Sequence, residues 1–198
     1  MTADDAIPRV HAETRAQWRA WLSENHATAT GVWLVSWRRH TGRPAVPYDE
    51  AVTEALAFGW VDSVAGRLDD DRTMLRYTPR RPRSGWARPN KRRIETLERE
   101  GLMTPAGQRV IDAAKADGSW TLLDDVEDLV VPDDLAAALA AVPGAREKWD
   151  AFPRSAKRGI LEWIVQARRP ETRAKRVAET ADRAGRGERA NQWTRPPR

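Results

Sequence analysis

Polar and apolar positions alternate along this chain in segments of changing period, and the period marks each element. Thr14 and Gln17 have the spacing of a capping box, and Trp18, Trp21 and Leu22 follow at i, i+3, i+4, predicting an amphipathic helix over 14–25. Val32-Trp-Leu-Val-Ser-Trp37 is a short apolar run behind Gly31 and reads as a buried strand. Tyr48, Ala51, Val52, Ala55 and Leu56 return to helical spacing over 48–58, with Gly59 as the stop. Two extended segments come next, 60–68 and 72–78, joined by the acidic turn Asp69-Asp70-Asp71. In the second, Thr73, Leu75 and Tyr77 alternate with Met74 and Arg76, as a half-buried hairpin strand does. Pro79 and Pro82 close the sheet, since proline cannot donate to a ladder.

After Ser84 the pattern is helical. Asn90 to Glu100 stops at Gly101, and Thr104-Pro105 starts a helix running to Gly118. Two shorter helices are expected over 132–142 and 144–151. Ala156, Ile160, Trp163, Ile164 and Ala167 give the strongest periodic signal, and Pro170 opens a last helix. The fold class expected is therefore α+β: a small antiparallel three-stranded sheet with helices, followed by an α-helical C-terminal half. The organisation expected is an N-terminal arm over 1–13, an α-β-α-β-β unit over 14–83, a helical half over 84–184 packed on it as one domain, and a mobile tail over 185–198.

Composition narrows the chemistry. With no cysteine in 198 residues, disulfides and thiolate metal sites are excluded. No apolar run approaches the ~20 residues of a membrane span, and Met1 to Val10 carry no signal-peptide pattern, so a cytoplasmic protein is expected. His11, His26 and His40 are isolated, the serines lack a nucleophile-elbow context, and glycines do not cluster into a phosphate loop. Asp69-Asp70-Asp71 resembles a hard-cation site in composition only. No catalytic residue, metal site or cofactor is assigned.

The net charge of +5 is distributed unevenly. From Arg72 to Arg93 there are nine basic residues and no acid, whereas Asp112 to Asp134 holds eight acids and only Lys115. Ten tryptophans add large amphipathic rings, which build cores and also anchor binding surfaces. The proline-stiffened loop Thr78-Pro-Arg-Arg-Pro-Arg-Ser-Gly-Trp86 is the first functional candidate, because arginine forks match carboxylate and phosphate geometry. The expected ligand-binding set is Arg80, Arg81 and Arg83 on an anion, Trp60 and Trp86 as apolar walls, and Asp62 and Asn90 orienting polar atoms. The partner expected is an anionic or amphipathic small ligand or peptide. One alternative is nucleic acid bound through the basic stretch with Lys91, Arg92 and Arg93; another is an enzyme using Asp62 as base. The competing structural reading is that these arginines pair with the chain's own acidic segment and that Trp86 fills the core.

Tyr48-Asp-Glu-Ala, Phe58-Gly-Trp-Val-Asp-Ser63, Tyr77-Thr-Pro-Arg-Arg-Pro with Ser84-Gly-Trp86 and Asn90, and Gly101-Leu-Met-Thr-Pro-Ala-Gly107 stand in one order. With the closing segments Ser155 to Trp163 and Ala167-Arg-Arg-Pro-Glu-Thr-Arg173, they resemble the YdeI/OmpD-associated family over about 14–185. The resemblance implies a bacterial protein linked to bacteriocin protection and stress or antimicrobial tolerance, and it carries no catalytic residues across.

Overall fold

The computed structural model describes residues 7–191; residues 1–6 and 192–198, which belong to the expected arm and tail, lie outside the described residues. The described chain forms two units, 7–84 with 89–120, and 85–88 with 121–191.

In the first unit, β1 (Arg9–His11), α1 (Arg15–Asn25), β2 (Val32–Trp37) and α2 (Tyr48–Ala57) precede the hairpin β3 (Trp60–Arg67) and β4 (Arg72–Pro79). Then α3 (Arg88–Arg99) and α4 (Pro105–Ala116) follow. Thr14 caps α1 as its spacing predicts: its hydroxyl accepts from the Gln17 amide at 3.2 Å, and Gln17 Oε1 accepts from the Thr14 amide at 3.1 Å. The buried face of α1, Trp18 and Leu22, packs on α2, and Trp18 Nε1 donates to the Ala51 carbonyl at 3.0 Å. Thus a fully buried indole keeps its hydrogen bond.

The sheet has four strands in the order β1-β2-β4-β3. β2 and β3 both run antiparallel to β4, but β1 runs parallel to β2, with Val10 opposite Leu34. The expected three-stranded antiparallel sheet is corrected to a four-stranded mixed one. β1 has three residues and one apolar side chain, too short to show any period. It is held by main-chain bonds to a distant strand, such as Trp33 N–H to the Pro8 carbonyl at 2.9 Å. Between β3 and β4 the pairing steps from Asp62↔Tyr77 to Ala65↔Leu75, so β3 carries one extra residue there.

The second unit is helical: α5 (Asp124–Glu127), α6 (Asp133–Ala141), α7 (Ala145–Asp150), α8 (Arg154–Val165) and α9 (Pro170–Gly185). Leu135, Leu139, Trp149, Ile160 and Ile164 fill its core. Periodicity did not announce α5, a single acidic turn around buried Val126 and Glu127. Glu127 is 8% exposed, and Arg158 donates to its Oε1 at 2.9 Å. The Arg158 hydrogen bond holds the Glu127 carboxyl below its ordinary pKa, against the opposing effect of burial. The stability this pair confers is full above the ordinary glutamate value of ~4.3 and is lost as pH falls through the lower folded value. Arg158→Met is expected to cost about 3 kcal/mol at neutral pH, because it strands a buried carboxylate. Urea unfolding at a series of pH values checks this, and the penalty should shrink below pH ~4.

Candidate functional site

The turn from α2 into β3 gathers polar side chains at one end of the hairpin. Tyr48 opens α2, Asp62 is the third residue of β3, and Tyr77 faces Asp62 across the ladder. The Tyr48 hydroxyl donates to Asp62 Oδ2 at 3.0 Å. Gly59, with φ +77°, makes the turn that places Trp60 and Asp62, and its carbonyl accepts from the Arg80 amide at 2.9 Å. Arg80 is thereby fixed where the hairpin ends. Burial lowers its guanidinium pKa to about 10, and the nearby Asp62 charge acts in the opposite direction.

Arg93 joins this group from α3. Its guanidinium donates to Asp49 Oδ1 at 2.5 Å and to Asn90 Oδ1 at 2.9 Å, and it lies 6.0 Å from the Tyr48 ring centroid. Asn90, Arg93, Tyr48 and Asp62 thus neighbour one another in turn, and Arg80 lies within reach of the Asp62 charge.

Tyr77 sits behind Asp62. It is 0% exposed, its ring is 5.1 Å from Trp18, and its hydroxyl has no hydrogen-bond partner among the described residues. Burial first, then the charges of Asp62 and Tyr48, drive its pKa upward, so the hydroxyl stays protonated. Tyr48 is 56% exposed, and the partial desolvation of its hydroxyl and then its bond to Asp62 raise its pKa as well. Such a group can position and hydrogen-bond an anionic or polar ligand: Arg80 and Arg93 supply charge, the second shared with Asp49, Asp62 accepts, and the Tyr77 hydroxyl holds an uncommitted proton while that of Tyr48 is given to Asp62.

The remaining expected residues are placed differently. Trp60 is 1% exposed, with Nε1 donating to the His26 carbonyl at 3.3 Å and the ring edge-on to Trp21, so it supports the site from within the core. Trp86 is also 1% exposed and belongs to the second unit. Arg81 and Arg83 are exposed; Arg83 adopts φ +60°, and Asp117 is held below the usual carboxylate range chiefly by hydrogen bonds from Ser119, with the charge and backbone N–H of Arg83 adding to the effect. Within the basic stretch, Arg72 pairs with Asp69 at 2.6 Å and Arg88 with Asp128 at 2.8 Å. The acidic segment therefore neutralises Arg88, and the hairpin turn neutralises Arg72. Asp69 Oδ1 also accepts from the Asp71 and Arg72 amides, which makes the acidic triplet a self-bonded turn.

Sequence reasoning did not single out Tyr48 and Tyr77 as neighbours of Asp62, nor Arg93 as the partner of Asp49. Their signal was scarcity, since Tyr48 and Tyr77 are the chain's two tyrosines and both lie in the quoted motifs.

Comparison with known families divides the chain along similar lines. Residues 10–110 match the family model described as Domain of unknown function (DUF8412), which is 101 of the 198 residues. The chain belongs to this family. The DUF8412 span contains Tyr48, Asp62, Tyr77, Arg80, Asn90 and Arg93, hence the whole polar cluster. Residues 128–187 match the model described as Bacteriocin-protection, YdeI or OmpD-Associated, which covers the C-terminal part only. The closing motifs, Ser155 to Trp163 and Ala167 to Arg173, fall inside it, while those from Tyr48 to Gly107 fall inside DUF8412. No curated protein and no solved structure matches the chain. Among the described residues, no helix is long and apolar enough to cross a membrane.

Proposed function

We propose that this protein is a non-enzymatic binding protein whose DUF8412 region seats a small anionic ligand at the cluster of Asp62, Arg80 and Arg93. The observation that carries this reading is the Tyr77 hydroxyl, which is buried without a partner beside that cluster. Leaving a buried hydroxyl unbonded costs about 1–3 kcal/mol, a cost that a ligand oxygen or nitrogen bonded there would offset. Arg80 and Arg93 attract the anion, Asp62 and Tyr48 orient its polar hydrogens, and exposed Arg81 and Arg83 extend the positive field outward. The description of the C-terminal match supports a place in bacteriocin protection or wider antimicrobial tolerance.

The test is a calorimetric screen of small phosphates and carboxylates against the full chain, repeated with Tyr77→Phe and Arg80→Met. Tyr77→Phe should leave the ligand-free protein as stable as the parent or up to about 1 kcal/mol more stable, while weakening ligand binding about tenfold. A loss of stability instead would mean that the hydroxyl is already bonded and would remove the reading's main support. Binding of duplex or single-stranded DNA that collapses with salt would put nucleic acid in place of the small anion. A turnover abolished by Asp62→Asn with binding retained would make the site catalytic.

A further inference from the structure

A cleft of about 690 Å³ in the first unit is lined by none of the side chains of the polar cluster. Its size is that of a small-molecule pocket. α1 contributes Ala16, Arg19, Ala20 and Ser23, whose spacing i, i+3, i+4, i+7 forms one stripe beside the buried stripe of Trp18 and Leu22. The two alanines leave an apolar floor where longer side chains would fill the space. Phe58, 7% exposed, forms the wall at the end of α2, and α4 closes the far side with Ala106 and Arg109.

The wall is fixed in place. The Thr104 hydroxyl donates to the Ala57 carbonyl at 2.6 Å, which pins the start of α4 to the end of α2. The charge of the cleft is one-sided, for no residue lining it is acidic. Arg19 is held by Glu54 at 2.5 Å and by the Leu102 carbonyl at 2.9 Å, with its guanidinium 5.4 Å from the Phe58 centroid. Arg15 also binds the Glu54 carboxylate, so one buried negative charge meets two positive ones. Arg109 has no ion-pair partner among the described residues. His26 turns Nδ1 to the Leu22 carbonyl at 2.9 Å, which leaves Nε2 as its remaining polar atom.

We propose that this cleft binds an organic carboxylate with an apolar body. Arg19 and Arg109 hold the carboxylate, the first preorganised by its ion pair and the second free to close on the ligand. Phe58, Ala16 and Ala20 take up the apolar body. The site is separate from the polar cluster and does not depend on the function proposed for it.

An NMR titration of the full chain tests this with three probes: phenylacetate, phenethylamine as the same body with the opposite charge, and inorganic phosphate as charge without a body. Phenylacetate is expected to give saturable shifts at the amides of Ser23, His26 and Ala106, with phosphate weaker and phenethylamine absent. Arg109→Ala, at an exposed and unpaired position, should weaken phenylacetate about tenfold, the value of one charge-assisted contact. Ala20→Leu should block binding by filling the floor. The proposal is overturned if the amine binds as well as the carboxylate, if phosphate binds as tightly as phenylacetate, or if Arg109→Ala binds like the parent. Absence of any shift along α1 and α4 also overturns it. Shifts confined to amides around Asp62 and Arg80 would do the same while leaving the reading of that cluster intact.

Discussion

Gly107→Ala is expected to cost the first unit about 3 kcal/mol or more, because the added methyl has no room. A Cβ built there lies 2.3 Å from the Ala57 carbonyl oxygen and 2.7 Å from Met103 Sδ. The oxygen is backbone, already bonded by the Thr104 hydroxyl and amide, and it cannot yield without opening the joint between α2 and α4. Urea unfolding followed by circular dichroism checks the magnitude. Gly101→Ala is the contrasting substitution: nothing lies within 4 Å of its Cβ, but φ is +67°, so its cost should be only the ~1 kcal/mol of a left-handed backbone.

The second large effect concerns Glu54, a carboxylate 1% exposed inside α2. Arg15 Nε and Arg19 Nη1 each reach it at 2.5 Å, and the Glu54 hydrogen bond raises the Arg15 pKa in return. The double substitution Arg15→Met/Arg19→Met leaves this charge buried without a counter-ion and is expected to cost about 3–5 kcal/mol. Adding Glu54→Leu to that background should return stability to within about 1 kcal/mol of the parent, because the desolvation penalty leaves with the charge. Thermal or urea unfolding of the double and triple variants decides it. Failure of the third substitution to rescue would show that the arginines act through other contacts, such as that of Arg19 with Phe58 and the Leu102 carbonyl, rather than through the ion pair.

The elements that could be read from the sequence are those fixed by local chemistry. The Thr14–Gln17 box, the apolar run of β2 and the Thr104-Pro105 start each depend on residues a few positions apart, and each lies where expected. β1 and α5 escaped notice because β1 exists only by pairing with β2, and a four-residue turn has no period. Asp62, Arg80 and Asn90 are singled out by residue type, but their arrangement depends on register and on Arg93 of α3 reaching Asp49 of α2. The tryptophans show the limit most clearly. An indole suits a groove wall or a core equally well, and only three-dimensional packing puts Trp60 and Trp86 at 1% exposure.

The extra residue in β3 has an architectural consequence. Between Asp62 and Ala65 the strand advances three residues while β4 advances two, so the inward–outward alternation of β3 changes phase at that point. The inner half, Trp60 to Asp62, is keyed to the core through Trp60; the outer half, Ala65 to Arg67, keeps its own phase toward the Asp69–Asp71 tip. The hairpin is therefore two modules in series, an inner one keyed to the core and an outer one whose tip is tied to the end of β2, where the Arg38 amide donates to the Asp71 carbonyl at 2.8 Å.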